Sequence, residues 1–332
     1  PEERPTAGDI AILLQTLDIS TSELRARDPV SNEGSELNVI SYNNSSKISF
    51  SWTPLVRAIF DGDIKTVKRH LSKKGKKSTG DDIALILAAK VGHAEIVELL
   101  DPTDWDGVTA LMRAAEKGDV EAVRALIPLQ KGRQTLRKVN INGVWIFRRG
   151  TALMRAASCG HAEVVRLLVE HEGGMQDSWD WSALMHAAEK GHANCVELLA
   201  EKEGGMQESD GKTALMNAAR NGHAEVVNLL AEKEEGMQDK DGVTALMCAT
   251  YNNRLECAKL FLEKEGGMQD KDGWTALMYA TYSNNLECVR LLAEREKDMK
   301  TTRKWFGYLP GTTALDIAKK MGRTEIVSIL KN

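Results

Sequence analysis

No apolar run in this 332-residue chain is long enough to cross a bilayer: the longest is the seven residues from Ile83 to Ala89, against about 20 for a spanning helix. No charged-then-apolar leader opens the chain, so it reads as neither secreted nor membrane-spanning. Cysteine is scarce. The five present, Cys159, Cys195, Cys248, Cys257 and Cys288, are odd in number and contain no C-x-x-C pair, which fits reduced thiols in a cytosolic compartment. Excess positive charge is missing too. Lys and Arg total 44 against 48 Asp and Glu, so the formal net charge of -4 supplies no overall field toward nucleic acid or an anionic membrane. What is present, 42% hydrophobic and 28% charged residues, is enough for an ordinary globular core.

That core is written as a repeat. The tripeptide Thr-Ala-Leu or a near relative places Leu153, Leu184, Leu215, Leu246 and Leu277 at intervals of 31 residues, with looser copies at Leu55, Leu85, Leu111 and Leu315, nine units in all. In the unit that begins at Asp210, Asp210-Gly211 predicts a tight turn and Thr213 a helix cap. Leu215, Met216, Ala218 and Ala219 form one apolar face, with Asn217 on the helix surface, and Asn221-Gly222 supplies a left-handed stop. A second helix from about His223 carries Val226, Val227, Leu229 and Leu230 as its buried stripe. A Glu-Lys-Glu run, read as solvated, returns the chain to the next turn. Two helices of about eight residues are marginal alone in water, so stacking of neighbouring units has to bury them.

These units resemble ankyrin repeats, whose T-P-L-H-x-A signature is matched by T-P-L at Thr53 to Leu55 and T-A-L-M later, with G-H-A-E-[IV]-V at Gly92, Gly160 and Gly222 and G-H-A-N-C-V at Gly191. The resemblance covers residues 51–332 and implies an all-α ankyrin-repeat solenoid of about nine helix-turn-helix units. A period of 31 in place of 33 puts a full β-hairpin at every junction in doubt. Met replaces the motif His, and Ile83 stands where Thr would cap the second unit.

The opening PEERPTAGDIAILL follows another logic. Thr6 is a good cap, and Ile10, Leu13, Leu14 and Leu17 fall at i, i+3, i+4, i+7, an amphipathic helix. R-P-T followed by such a helix resembles the last segment of a protein kinase domain, in which Arg4 would hold the Glu of the A-P-E motif. The Gly-rich loop, V-A-I-K, H-R-D, D-F-G and A-P-E motifs are all absent. With a Ser/Asn-rich linker over 18–50 and the repeats after it, the order is similar to that of NIMA-related serine/threonine kinases with ankyrin arrays from parasitic protists. The resemblance makes 1–17 a kinase remnant and the array a targeting scaffold in the cytoplasm, with the cytoskeleton as a further location. ATP and Mg would then belong to the parent enzyme, and the rival reading assigns the parent's kinase activity as the function.

No catalytic, cofactor or metal site is expected in the chain itself. His93, His161, His192 and His223 recur at unit spacing, roughly 10 Å apart in stacked helices, too far to share a zinc whose ligands lie within about 2 Å of it; they read as histidines that fix the interhelix turns by hydrogen bonds. Cys195, Cys257 and Cys288 take the place of a core Val. The functional residues are therefore expected on the surface. The family resemblance implies partner contacts from the turns, at Trp105, Trp181, Lys212 and Trp274, and from the first helices, at Arg220, Tyr251 and Tyr282.

Two insertions break the rhythm. Pro128 to Arg149 carries Lys131, Arg133, Arg137, Lys138, Arg148 and Arg149 with no acid, and its VNINGVWIF, with Trp145, alternates around Asn142-Gly143, which predicts one inserted β-hairpin. Lys297 to Pro310 carries Lys300, Arg303, Lys304, Trp305, Phe306 and Tyr308. Two basic, aromatic-bearing insertions on one edge predict an acidic protein partner for a monomeric scaffold. Nucleic acid is disfavoured because the charges are few and the chain is net acidic.

Overall fold

The computed structural model describes residues 54–73, 80–141, 144–146, 148–305 and 307–331. The expected kinase remnant with Arg4 and the expected 18–50 linker lie outside the described residues, as do Asn142, Gly143 and Phe306. Eighteen helices and one two-stranded sheet occur among the described residues. They divide between two compact units, 54–103 with 124–129, and 104–123 with 130–331.

In the first unit, α1 (Pro54–Phe60) packs on α3 (Gly80–Val91) and α2 (Ile64–Lys73) on α4 (Ala94–Leu100). Ile59, Val67, Ala88, Ile96 and Val97 are buried between them. Without a hydroxyl at Ile83, α3 starts at Gly80, about one turn earlier in its unit than the capped helices do.

The second unit opens with α5 (Ala110–Lys117), and α6 (Val120–Gln130) follows it in the chain. After a hairpin, the helix pairs continue as α7 (Ala152–Cys159) and α8 (Ala162–Glu172), α9 (Ala183–Lys190) and α10 (Ala193–Glu203), and α11 (Ala214–Asn221) and α12 (Ala224–Glu234). They end with α13 (Ala245–Tyr251) and α14 (Leu255–Glu265), α15 (Ala276–Tyr282) and α16 (Leu286–Glu296), and α17 (Ala314–Lys320) and α18 (Thr324–Lys331). First helices α5 to α17 pack in one row and second helices α8 to α18 in another. Each first helix starts on a hydroxyl: Thr109, Thr151, Ser182, Thr213, Thr244, Thr275 and Thr313 each accept an N–H three residues on. Leu215, Met216, Ala218 and Ala219 are buried, and full burial of one such leucine contributes about 1.5–3 kcal/mol. Val226, Val227 and Leu230 are buried on α12, whereas Leu229 faces outward, 40% exposed. Asn217 is the reverse case: expected on the surface, it is buried because its helix face lies against the neighbouring first helices.

Two bonds that join one repeat to the next were hidden in polar sequence. Glu172, Glu203, Glu234, Glu265 and Glu296, the final acids of the runs read as solvated, are each about 1% exposed or less. Each ends a second helix and accepts the N–H of the second residue of its own first helix, as Glu203 Oε2 does from Leu184 at 2.7 Å. The other oxygen accepts a glycine N–H from the preceding loop, Gly174 for Glu203 at 3.0 Å. The histidines act across repeats and not within their own turn. His161 Nε2 lies 2.9 Å from the Glu116 carbonyl, and His192 and His223 bond Ser158 and Glu189 in the same way. A carbonyl only accepts, so Nε2 carries the proton. Gly160, at φ +79°, has His192 Nδ1 2.7 Å from where a Cβ would stand, so both the backbone angle and the ring require glycine there.

The first insertion begins later than expected. Pro128 sits inside α6, which runs on to Gln130. Then β1 (Val139–Ile141) pairs antiparallel with β2 (Val144–Ile146), with Asn140 opposite Trp145 and Ile141 opposite Val144.

Candidate functional site

The junction turns are short and laddered. Asp177, Glu208, Asp239 and Asp270 each donate their N–H to the carbonyl four residues on, and Ser209, Lys240, Lys271 and Thr302 donate to the turn before. Side-chain amides reinforce them: Gln207 Nε2 donates to the Gly211 carbonyl in its own turn and to Gln238 in the next, and Gln238 repeats this with Gly242 and Gln269. These bonds make the turn tips one edge of the second unit and position the candidate side chains that the turns carry.

Trp105, in the turn where Asp104 donates its N–H to the Val108 carbonyl at 3.2 Å, is 91% exposed. Beside it Leu136 donates its N–H to the Asp106 carbonyl at 2.8 Å and is itself 67% exposed. On the other side of the insertion the Arg148 carbonyl accepts the Ser178 N–H at 2.7 Å, and the next residue, Trp179, is 53% exposed. Leu136 and Trp179 escape a reading of the sequence, because nothing in their own segment says which turn tip is covered. Lys131, Arg133, Arg137, Lys138, Arg148 and Arg149 are exposed along the same edge. Arg137 stands 4.0 Å from the Asp106 carboxylate, and Arg149 holds a left-handed φ of +68°. Trp145 lies in β2 by its backbone, and its side chain is outside the described residues.

The other predicted contacts divide. Trp274 is corrected outright: it is fully buried, ringed by Tyr279, Tyr282, Trp305 and Tyr308 with centroids 4.6–6.0 Å away. The second insertion folds back over it, so Tyr308 is buried and Trp305 half-buried, while Lys304 remains exposed. Lys320 closes this knot, 4.1 Å above the Tyr308 ring and bonded to the Gly307 carbonyl. Tyr282 is half-buried against Trp274, and Tyr251 is exposed, edge-on to Tyr279. Trp181 is half-buried on the ring of His186, 5.2 Å away. Arg220 is held by Glu189 at 2.9 Å, and Lys212 lies between Glu208 and Asp210.

Burial pushes the thiols of Cys195 and Cys288 up to about 11 and that of Cys248 up to about 12, away from nucleophilic thiolate. Burial and the bond to Asp270 hold the Tyr279 hydroxyl protonated. Among the described residues no three His, Cys, Asp or Glu side chains converge as metal ligands, and no helix is long and apolar enough to cross a membrane.

A comparison with curated proteins returns no match. A family model for ankyrin repeats matches in overlapping windows over 55–138, 136–207, 153–236, 202–268, 231–304 and 260–332. These windows run without a gap from Leu55 to the last residue, through both units and both insertions, and the chain belongs to the ankyrin-repeat family.

Proposed function

We propose that this chain is a protein-interaction scaffold that receives an acidic protein segment on the turn edge around the first insertion. The carrying observation is the row of exposed apolar side chains, Trp105, Leu136 and Trp179, interleaved with the exposed cations Arg137, Lys138, Arg148 and Arg149. Apolar anchors ringed by charge are the composition of interaction hot spots, and ankyrin repeats are interaction modules. The carboxylates nearby, Asp104, Asp106 and Asp180, are outnumbered. The test is binding of a fluorescent Glu/Asp-rich peptide to the full chain and to Arg137→Glu/Lys138→Glu. Affinity should fall in the variant, and the difference should shrink at high salt as exposed charges are screened. Equal affinity for both proteins defeats the reading.

A role as the targeting array of a serine/threonine kinase rests on residues 4–17 alone, outside the described residues. Cytoplasmic and cytoskeletal placement belong to that same reading. Its test is the coding sequence upstream of Pro1: an open frame with H-R-D and D-F-G supports it, and their absence removes it.

A further inference from the structure

The two insertions share a design that their different lengths conceal. Each leaves the array through the same four-residue pattern, Thr135-Leu136-Arg137-Lys138 and Thr301-Thr302-Arg303-Lys304. Each is pinched by the same three bonds. Thr135 donates its N–H to the Gly150 carbonyl at 2.9 Å, its carbonyl accepts from Arg149 at 2.8 Å, and its hydroxyl accepts from Gly150 at 3.0 Å. Thr301 repeats this with Thr312 at 3.0 Å, Gly311 at 2.7 Å and Thr312 at 3.1 Å. Both threonines are buried, 2% and 3% exposed. The next residue is fixed in each case to the preceding turn, Leu136 N–H to the Asp106 carbonyl and Thr302 N–H to that of Asp272. Gly107 and Gly273, at φ +79° and +81°, let these segments approach: a Cβ on Gly107 would stand 2.9 Å from the Leu136 nitrogen.

The contents of the insertions differ, an antiparallel hairpin in one and an aromatic knot over Trp274 in the other. The common product of the two necks is an exposed Arg-Lys pair held out at the same place on the turn edge, at 137–138 and at 303–304. Between them the turns carry no such cationic pair, and their charge is mixed. Asp180, Asp210, Asp241 and Asp272 reach at least partly into solvent there, against Lys212, Lys240 and Lys271. One continuous acidic run laid along the edge would meet no basic strip over its middle.

We propose that the two necks are paired docking points for a single partner that carries two separate acidic clusters. This rests on the acidic-partner reading above and adds a second site and a spacing. The pairs are five repeats apart, and stacked helices at about 10 Å per step put them about 50 Å from each other. Two weak electrostatic contacts joined in this way gain by effective concentration, provided the link between them spans the gap.

The experiment uses the full chain and synthetic probes: one six-residue Glu/Asp cluster, or two joined by a Gly/Ser linker. A linker of about 80 residues has a root-mean-square span near 50 Å, whereas one of about 3 residues, counted with half of each six-residue cluster, reaches at most about 32 Å. The long-linker probe should bind at least about tenfold tighter than the single cluster, and the short-linker probe should show no such gain. Arg137→Glu/Lys138→Glu and Arg303→Glu/Lys304→Glu should each abolish the gain, with unchanged helical circular dichroism showing that the array is intact; Arg303→Gln/Lys304→Gln serves as the milder second variant. If the long-linker probe binds no tighter than the single cluster while the latter still depends on Arg137 and Lys138, the two-site proposal falls and the one-site reading stands. If the single cluster is indifferent to Arg137 and Lys138, both fall.

Discussion

The Glu203 carboxylate accepts the backbone N–H of Leu184, 19 residues earlier, at 2.7 Å, and thereby fastens the end of its repeat to its beginning. Its other oxygen takes the Gly174 N–H of the preceding repeat, so a single side chain closes one unit and joins it to the next. Glu203→Ala leaves two backbone donors without a partner in a buried site, at about 1–3 kcal/mol each. Gln130 gives the natural comparison: its Oε1 accepts the Leu111 N–H at 2.8 Å in the equivalent place. Glu203→Gln should therefore cost less than Glu203→Ala, because it keeps one of the two acceptors. Urea midpoints of the two variants check the order; equal midpoints would show that the bonds contribute nothing.

The same carboxylates predict a pH dependence. Burial raises Glu172, Glu203, Glu234 and Glu265 above the ordinary carboxylate value, against hydrogen bonds that pull them down. A carboxyl raised in the folded state binds its proton more tightly there than in the unfolded chain. Its contribution is greatest below the ordinary glutamate value and declines as pH rises from there through the native value. The stability advantage of the natural protein over Glu203→Gln should thus narrow from pH 4 to pH 7 in denaturant titrations. A gap that widens would mean that the bonds to Leu184 and Gly174 outweigh burial.

His192 runs the other way. Burial lowers its pKa, in keeping with a neutral ring whose Nε2–H bonds the Ser158 carbonyl at 3.2 Å. A histidine depressed in the folded state contributes stability above its unfolded value, near 6.5, and loses it as pH falls. Asn285 performs the same inter-repeat bond without titrating, through its Nδ2 to the Tyr251 carbonyl at 3.0 Å. His192→Asn should therefore fold with a weaker dependence on pH between 7 and 5 than the natural protein. Parallel melting curves across that range would show that the ring's protonation is not linked to folding.

These residues mark how far the sequence could be read. Thr213 and Leu215 were legible because their reasons are local, a hydroxyl before a helix and an apolar face within it. Glu203 was not, because a Glu in a Glu-Lys-Glu run looks solvated until the helix start 19 residues earlier and the glycine loop of the previous repeat close over it. Leu136 and Arg137 stood inside a segment readable as an insertion, but the matching neck at Thr301 emerges only when backbone bonds are compared. Asn217 alternated with apolar positions and read as a surface residue; what buries it lies on neighbouring helices. Leu215→Ala should still cost about 2–5 kcal/mol. Asn217→Ala should cost less, since the Asn217 amide nitrogen has no partner and its oxygen accepts only from Arg220 at 3.2 Å. Thermal denaturation of both variants tests the order.

Trp105 and Trp274 occupy nearby places in the turns of their repeats and should give opposite results. At 91% exposure Trp105 buries little in the chain alone, so Trp105→Ala should change stability by no more than about 0.5 kcal/mol. Trp274 is fully buried under Trp305 and Tyr308, and Trp274→Ala should cost about 3–5 kcal/mol. Its indole N–H has no partner, so Trp274→Phe gives up no hydrogen bond and should recover much of that loss. The sequence alone places both tryptophans at solvated turns; the difference arises because the second insertion returns 31 to 34 residues later, at Trp305 and Tyr308, to cover Trp274, while Trp105 stays bare beside an exposed Leu136. Binding should invert the ranking. Trp105→Ala should weaken capture of an acidic probe at unchanged melting temperature, and Trp274→Phe should leave capture as it is. A stable Trp105→Ala protein with undiminished capture would take Trp105 out of the interaction surface, and a melting temperature unmoved in Trp274→Ala would mean that the aromatic knot does not hold the end of the array together.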